Sequence, residues 1–401
     1  MDFYGYMRPN GKAGARNYVL LLPVNRSLNF IASNVERMTR NTHHFEIPAE
    51  TGRTEVDREV IARTLIGLMN NANVGGIVLL AVKSGAGSAY KNMCAERFEE
   101  KARKTGKPFR IVYLTNVGGS YNMLGETLRL TREVLLEVSD FRRENCPLSA
   151  LTLGVKCGTS DATSGIAGNP CVGAAFDQLI RAGGTAFFSE TTEIIGAEDL
   201  VAKRAVNESV AKKILSAARH WEDKAKATGE DIRKINPIPA NIAAGISSLE
   251  EKSLGAIAKS GTSPIQDVLK YAEMPKGSGL YFVDSWMSSL SLPLCLTACG
   301  ATIMLYQMGG GKIAQHPMMP SINPTVVSPF LYLTGNAIAY SRAPDNFDFD
   351  ASPIMTEGAS IPEMGTKLLE HLSAIASGTM TKMETLNYAE QLELYMEGPV
   401  L

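Results

Sequence analysis

The chain lacks any cysteine framework. Its six cysteines, Cys94, Cys146, Cys157, Cys171, Cys295 and Cys299, are few for 401 residues and include no Cys-x-x-Cys pair. That spacing excludes a disulfide scaffold, a zinc ribbon and a thioredoxin-like site, and leaves reduced thiols that mostly fill core space. An excess of one charge sign is missing too. Forty Lys plus Arg stand against 41 Asp plus Glu, a formal net charge of -1, so no global field would hold nucleic acid or an anionic membrane. No apolar run approaches the roughly 20 residues of a membrane span. The start carries Asp2, Arg8 and Pro9 in place of an apolar signal core, so the sequence reads as cytoplasmic. Internal repeats and low-complexity segments are absent. What is present is 45% hydrophobic and 20% charged residues, the balance of an ordinary globular chain whose partner is a small molecule or another protein.

Length alone allows two or three domains, and two fit the pattern best. Asn17 to Val24 is an apolar run of strand length, followed by Phe30, Ile31, Val35 and Met38 at helical spacing. A helix through Val60 to Met69, a strand over Gly76 to Val82, a helix from Ser88 to Lys104, a strand at Arg110 to Leu114 and a helix from Ser120 to Val138 continue the alternation. Buried strands alternating with helices predict an α/β class, with mostly parallel sheets flanked by helices. The charged stretch Ser139 to Ser149 is the expected boundary between an N-terminal α/β domain, 1–145, and a C-terminal Rossmann-like catalytic domain, 150–401. In the second, strands are expected at 151–155, 185–189, 280–283 and 301–306. Helices are expected at 172–180, 206–226, 249–259 and 361–376, with a loop at 236–248 and an irregular stretch at 316–329.

Ligand sites of open α/β sheets lie where loops leave the carboxyl ends of strands. The strand over Leu151 to Val155 runs into Lys156, Cys157, Gly158, Thr159, Ser160 and Asp161, ahead of Gly168, Asn169 and Pro170 at a helix start. A cation, a thiol, hydroxyls and a carboxylate on one such loop suit a carboxylate substrate, although loops of this composition also serve only as turns and caps. Ser189 and Glu190 end the next strand, where Glu190 would lie near Lys156 and Asp161. Crowded carboxylates with a lysine and a thiol either bind a divalent metal or share a proton. Glu193 and Glu198 read as a solvated helix start. Gly85 to Ser88 and Gly309 to Lys312 lack the remaining residues of a nucleotide loop and read as tight turns approaching an anion. His43, His44 and His316 read mainly as exposed or capping residues. Asp345, Asp348 and Asp350 are dense enough to attract a cation without showing a calcium-loop pattern.

Several ordered segments carry a family resemblance: GYMRPNGKAGARNYVLLLPV, LGVKCGTSDATSGIAGNPCVGAAFD, GGTAFFSETTEIIGAE, NPIPANIAAGISSLEEKSLGAIAKSGTSPIQDVLKYAE, GLYFVDS and LTGNAIAYSRAPDNFDFDASPI. Together they resemble the altronate/galactarate dehydratase family, which also contains the large subunit of sulfolactate sulfo-lyase. The resemblance implies a dehydratase that abstracts the α-proton of a sugar acid and expels its β-hydroxyl, with sulfite as the alternative leaving group. A non-catalytic sugar-acid binding protein is the rival reading. Lys156, Asp161 and Glu190 are the expected catalytic residues, with Asp161 or Glu190 as base or metal ligand. Thr159, Ser160, Asn169, Ser189 and Asn336 are the expected substrate contacts, and Lys252 also matches. The implied cofactor is a divalent metal (Fe, Mn or Mg), with Cys157 and Asp284 as candidate ligands. Arg26–Ser27, Ala49–Gly52 and Lys83–Ser84 stand where relatives usually carry cysteines, which weakens an iron requirement. The first match begins at Gly5, so a small accessory subunit is expected, along with assembly into a homo-oligomer.

Overall fold

In a computed structural model, residues 1–83, 90–310, 323–386 and 393–398 are described. They form three sheets. The N-terminal parallel sheet has strand order β4-β3-β5-β6, with β3 Tyr18–Pro23, β4 Thr42–His44, β5 Val74–Ala81 and β6 Phe109–Tyr113. The larger sheet has seven parallel strands in the order β10-β11-β9-β8-β12-β13-β14. These are β8 Thr152–Gly158, β9 Thr185–Phe188, β10 Ile265–Leu269, β11 Gly279–Val283, β12 Ile303–Met308, β13 Phe330–Thr334 and β14 Phe349–Asp350. Every residue of β5, β9, β11, β12 and β13 is buried, as expected of strands covered on both faces.

Asn169–Arg181 and Ile361–Ala376 pack together on one face of the large sheet, where Phe176, Leu179, Leu368 and Leu372 join Val155, Phe188 and Leu305 in one core. On the other face lies Ser291–Cys299, a helix buried along its whole length. Its Leu292 and Cys295 share a core with Leu65 and Leu68 of Glu55–Asn70, so this apolar cluster runs across both large sheets. Asn71 Nδ2 donates to the carbonyls of Thr297 and Ala301, both at 2.9 Å, and Asn73 Nδ2 donates to that of Thr302 at 2.8 Å.

The charged stretch after residue 139 contains a strand, β7 Glu144–Pro147. It pairs antiparallel with β1 Asp2–Met7, which also pairs with β2 Ala13–Gly14. These three strands were not expected, because β2 spans two residues and β7 four, too few to show a period, and β1 alternates exposed and buried only over its first four residues. The chain steps from β8 to β9 in one direction and later adds β12 on the other side of β8. The crevice between the carboxyl ends of β8 and β12 is therefore the topological switch point of the large sheet.

Candidate active site

Strand β8 delivers Lys156 and Cys157, in register with Tyr306 and Gln307 of β12. Just beyond β9, Glu190 adopts a left-handed conformation, φ 73 and ψ 65. Thr159 also has positive φ, at 45. Such backbone is unfavourable for a residue with a Cβ and persists where surrounding contacts over-determine it, commonly at functional sites. A third element brings Lys259, on the single turn Ala258–Ser260 that follows Leu249–Ile257. Gly173 makes this possible: a Cβ there would lie 2.2 Å from the Ala258 carbonyl oxygen, so only glycine lets the turn settle against helix Asn169–Arg181.

Four side chains thus meet in the interior. Lys156 Nζ lies 3.2 Å from Glu190 Oε1, and Lys259 Nζ forms a short charge-assisted bond to Oε2. The Cys157 amide donates to Oε2 at 3.1 Å, and the thiol donates to the same oxygen at 3.3 Å. Lys259 Nζ also donates to Cys157 Sγ at 3.1 Å. Lys156 and Cys157 are 3% exposed, and Glu190 and Lys259 1%. Burial pushes the Glu190 carboxyl up, but Lys259 and Lys156 outweigh it and hold it down to about 2. Burial opposes both ammonium groups, yet Tyr306 and Glu190 around Lys156, and Cys157 and Glu190 around Lys259, raise both above the usual lysine range. The Cys157 thiol is pushed up to about 11 by burial and by Glu190. Two ammonium groups, one carboxylate and a neutral thiol leave one unmatched positive charge inside the cluster.

A protonated thiol is a poor nucleophile. We therefore expect iodoacetamide at pH 8 to alkylate half-buried Cys94 and leave Cys157 unlabelled in native protein. Peptide mapping by mass spectrometry checks this, and labelling of Cys157 at the Cys94 rate would contradict it.

A second knot closes the switch point. Asp161 Oδ1 accepts from Thr163 Oγ1 at 2.7 Å, the Ser164 amide at 3.0 Å and Ser164 Oγ at 3.2 Å. Its Oδ2 accepts from the Gly310 amide at 2.7 Å and Asn336 Nδ2 at 3.0 Å. Glycine at 310 leaves room for the asparagine, since a Cβ there would fall 2.1 Å from Asn336 Nδ2. The anion approached by the Gly309–Gly310 turn is thus one of the protein's own side chains. Thr159 Oγ1 donates to the Gly309 carbonyl at 2.9 Å. Five donors saturate Asp161, an arrangement suited to a clamp between β8, β12 and β13. Asp161→Asn should therefore cost about 1–3 kcal/mol as well as activity, because the amide replaces an acceptor with a donor facing donors. Thermal unfolding measures this, and an unchanged melting temperature would show that the clamp carries no stability.

The other expected site residues have defined places. Ser160 and Asn169 line a cavity of about 280 Å³ with Asp161. Ser189 Oγ donates to the Val283 carbonyl at 2.6 Å, tying β9 to β11. Asp284 Oδ1 accepts from Thr191 Oγ1 at 2.8 Å and Trp221 Nε1 at 2.9 Å. Cys157 and Asp284 do not fit as ligands of one divalent metal: Cys157 and its neighbouring carboxylate already face two ammonium groups, and a further cation there would be repelled. Among the described residues no three His, Cys, Asp or Glu side chains are gathered as a metal would need.

Lys259 is the site residue that sequence reasoning passed over. It lies in Ala256–Ile257–Ala258–Lys259–Ser260, where a lysine at a helix end is ordinary, and only the close approach of Gly173 to the Ala258 carbonyl turns it inward. Glu193 was expected at a solvated helix start and is instead 4% exposed, paired with Lys252 at 3.1 Å. His43 and His44 face Glu36. Asp348 accepts from the Tyr332 and Lys382 amides at 3.0 and 2.8 Å, and Asp350 from the Ser352 amide at 2.8 Å, so these carboxylates serve the backbone. Gly85 to Ser88 and His316 lie outside the described residues.

The fold is of the α/β class, a seven-stranded parallel sheet with a buried cluster of two lysines, a carboxylate and a thiol beside its switch point. The chain belongs to the D-galactarate/altronate dehydratase family: the second-domain profile matches residues 5–139 and the C-terminal profile residues 148–399. It is 32% identical to the (2R)-sulfolactate sulfo-lyase subunit beta of Chromohalobacter salexigens over 394 residues, covering 97% of this chain and 96% of that one. It is 29% identical to altronate dehydratase of Bacillus subtilis, covering 100% and 78%, and 34% identical to galactarate dehydratase (L-threo-forming) of Escherichia coli, covering 70% and 52%. The chain is an enzyme of the lyase class. Among the described residues no helix is long and apolar enough to cross a membrane.

Proposed function

We propose that the chain is a hydro-lyase that removes water from a sugar acid such as altronate or galactarate. The observation that carries this reading is the unmatched positive charge of the Lys156, Lys259, Glu190 and Cys157 cluster. An enclosed excess charge favours an anion, and the anion that most needs it is the enediolate formed when a C–H next to a carboxylate is broken. In the unliganded protein both lysines hold Glu190 in its weakly basic form. A substrate carboxylate that takes over one ammonium weakens that hold, and Glu190 gains proton affinity as its partner is drawn away. Glu190 then accepts the α-proton, and the C–H electron pair passes into the enediolate, held by Lys156 and Lys259. Collapse expels the β-hydroxyl, which takes a proton from an ammonium and leaves as water. Glu190 returns its proton to the neutral lysine through their hydrogen bond, and the enol product tautomerises to a 2-keto acid. Nothing in this sequence is assigned to a metal at Cys157 or Asp284.

The sulfo-lyase reading is favoured by one observation, the near end-to-end match to a sulfolactate sulfo-lyase subunit beta. The same enediolate would then expel sulfite. Purified protein incubated with altronate, galactarate and (2R)-sulfolactate separates the two. Keto acid without sulfite is expected, and sulfite release from sulfolactate alone would replace the hydro-lyase reading. No turnover on the panel with a ligand-induced thermal shift would favour a binding protein.

A small accessory subunit fits the same relative, whose name marks it as one of several subunits. A cover over the cleft would exclude water and strengthen each contact to the enediolate. Co-expression with a candidate subunit of roughly 100 residues should raise kcat more than it lowers KM, and the two should comigrate in gel filtration. Full turnover by the chain alone, unchanged on addition, would refute this.

A further inference from the structure

The lysine cluster is closed. Lys156, Cys157, Glu190 and Lys259 are all nearly inaccessible, so a ligand reaches them only when covering chain moves aside. Lys156 Nζ lies 5.0 Å from the centre of the Tyr306 ring, and Tyr306 links it to the chain that follows β11. The phenol is buried, and its Oη shares a 2.9 Å hydrogen bond with Ser289 Oγ. Ser289 belongs to 284–290, an irregular stretch between β11 and the buried helix Ser291–Cys299. One end of this stretch is fixed beside Glu190, where the Thr191 amide donates to the Ser285 carbonyl at 2.9 Å and the Ser285 amide donates to Thr191 Oγ1 at 3.1 Å. The helix fixes the other end. Residues 286–290 bridge the two anchors in neither helix nor strand.

A second irregular piece, residues 393–398, fastens that bridge from outside. Ser288 Oγ donates to Glu393 Oε2 at 2.8 Å. The Tyr395 ring sits between two tryptophans, 5.4 Å from Trp286 on the bridge and 5.4 Å from Trp221 of helix Glu208–Ala227. Lys224 of the same helix forms a short bond to Tyr395 Oη and lies 3.7 Å from Glu397. The strap ends on helix Glu55–Asn70, where the Glu397 and Gly398 amides donate to the Asp57 carboxylate at 2.7 and 3.1 Å. Side-chain contacts of this kind, without a backbone ladder, open at lower free energy than a buried sheet.

We propose that 286–290 is a lid over the lysine cluster and that 393–398 is its latch, closed when Tyr395 sits between Trp221 and Trp286. Withdrawal of the strap frees Trp286 and Ser288 together, because both are held by it. The bridge then lifts between its two fixed ends, the Ser289 bond to Tyr306 breaks, and the phenol is free to leave Lys156. A small anion gains a path to the two ammonium groups, and reseating of Tyr395 closes water out again. The inference goes beyond the hydro-lyase reading, since it holds for any small anion taken up by the cluster and for either leaving group.

The test is nitration of the purified full chain by tetranitromethane, with the rate at each tyrosine read by peptide mapping. Tyr306 lies directly under the lid, whereas Tyr332, fully buried on β13, reports general loosening. In Tyr395→Ala the Tyr306 rate should rise about tenfold or more, the effect of losing two aromatic contacts from the closed state. The Tyr332 rate should stay at the wild-type value. Lys224→Met, a change on an outer helix face, should raise the Tyr306 rate by about threefold and decides the matter if Tyr395→Ala does not fold. A Tyr306 rate that keeps its wild-type value in the natively melting variants would overturn the latch. An equal rise at Tyr306 and Tyr332 would show general loosening and overturn it too. Nitration reads no turnover, so the latch and the lyase reading fail separately.

Discussion

Glu190→Gln should lower kcat by about three orders of magnitude, the middle of the range for loss of a positioned general base. The amide keeps the volume and the hydrogen-bonding reach but neither takes a proton nor neutralises an ammonium. Two buried lysines would then face each other without a counter-charge. Breaking a buried pair by removing one partner typically costs about 3–5 kcal/mol. The pH dependence of stability should change with it. An unfolded glutamate titrates near 4.5, whereas Glu190 is held at about 2 by the two lysines against burial. A depressed carboxyl contributes stability that is present above pH 4.5 and lost as the pH falls toward 2. The variant should therefore lose the part of the acid-side slope that Glu190 supplies between those values. Chemical denaturation at pH 3, 5 and 7 together with steady-state kinetics measures both effects. Turnover within tenfold of wild type would remove Glu190 from the chemistry and leave it a structural ion.

Lys259→Met should reduce kcat by about 10²- to 10³-fold, the loss seen when one preorganised charge-stabilising donor is removed. Stability should fall less than in Glu190→Gln. Lys156 and Glu190 remain as a balanced pair, and the deleted ammonium carried the unmatched charge. A readout specific to electrostatic action is the acid limb of kcat/KM. With Lys259 gone, the Glu190 carboxylate is less favoured and its pKa rises, so the limb moves to higher pH. A structural role alone would lower the melting temperature and leave the limb in place, and that outcome would exclude Lys259 from the reaction. A neutral leucine-sized side chain at position 156 is predicted to behave similarly, because Lys156 faces the other oxygen of the same carboxylate.

These two residues show different degrees of legibility in the chain itself. Glu190 ends an apolar strand, Phe187–Phe188–Ser189–Glu190, and such positions are where α/β sheets present side chains to ligands, so local pattern was enough to find it. Nothing local marks Lys259. Its inward turn depends on a helix 86 residues earlier, at Gly173, leaving room for its backbone. Asp161 lies between them: its position at the switch point followed from the strand, but its five hydrogen-bond donors come from Thr163, Ser164, Gly310 and Asn336, and only their convergence reveals a clamp. The resemblance offers Cys157 as a metal ligand, whereas the two ammonium groups beside it, one from a lysine 102 residues away, argue against a further cation there.

By itself the sequence determined the α/β class, the long buried strands and the helices with clear 3.6-residue spacing, because burial on both faces and helical periodicity are written into neighbouring residues. It also determined that Lys156, Cys157 and Glu190 stand at strand ends. Only the tertiary structure decided the short polar strands of the three-stranded sheet, whose stability comes from pairing β1 with β7 across 140 residues, and the order in which β12 joins the other side of β8. Charge balance in the interior belongs to the same class. A net charge of -1 over the whole chain says nothing of two lysines sharing one carboxylate, because interactions between buried charges depend on separations of about 3 Å that packing alone sets.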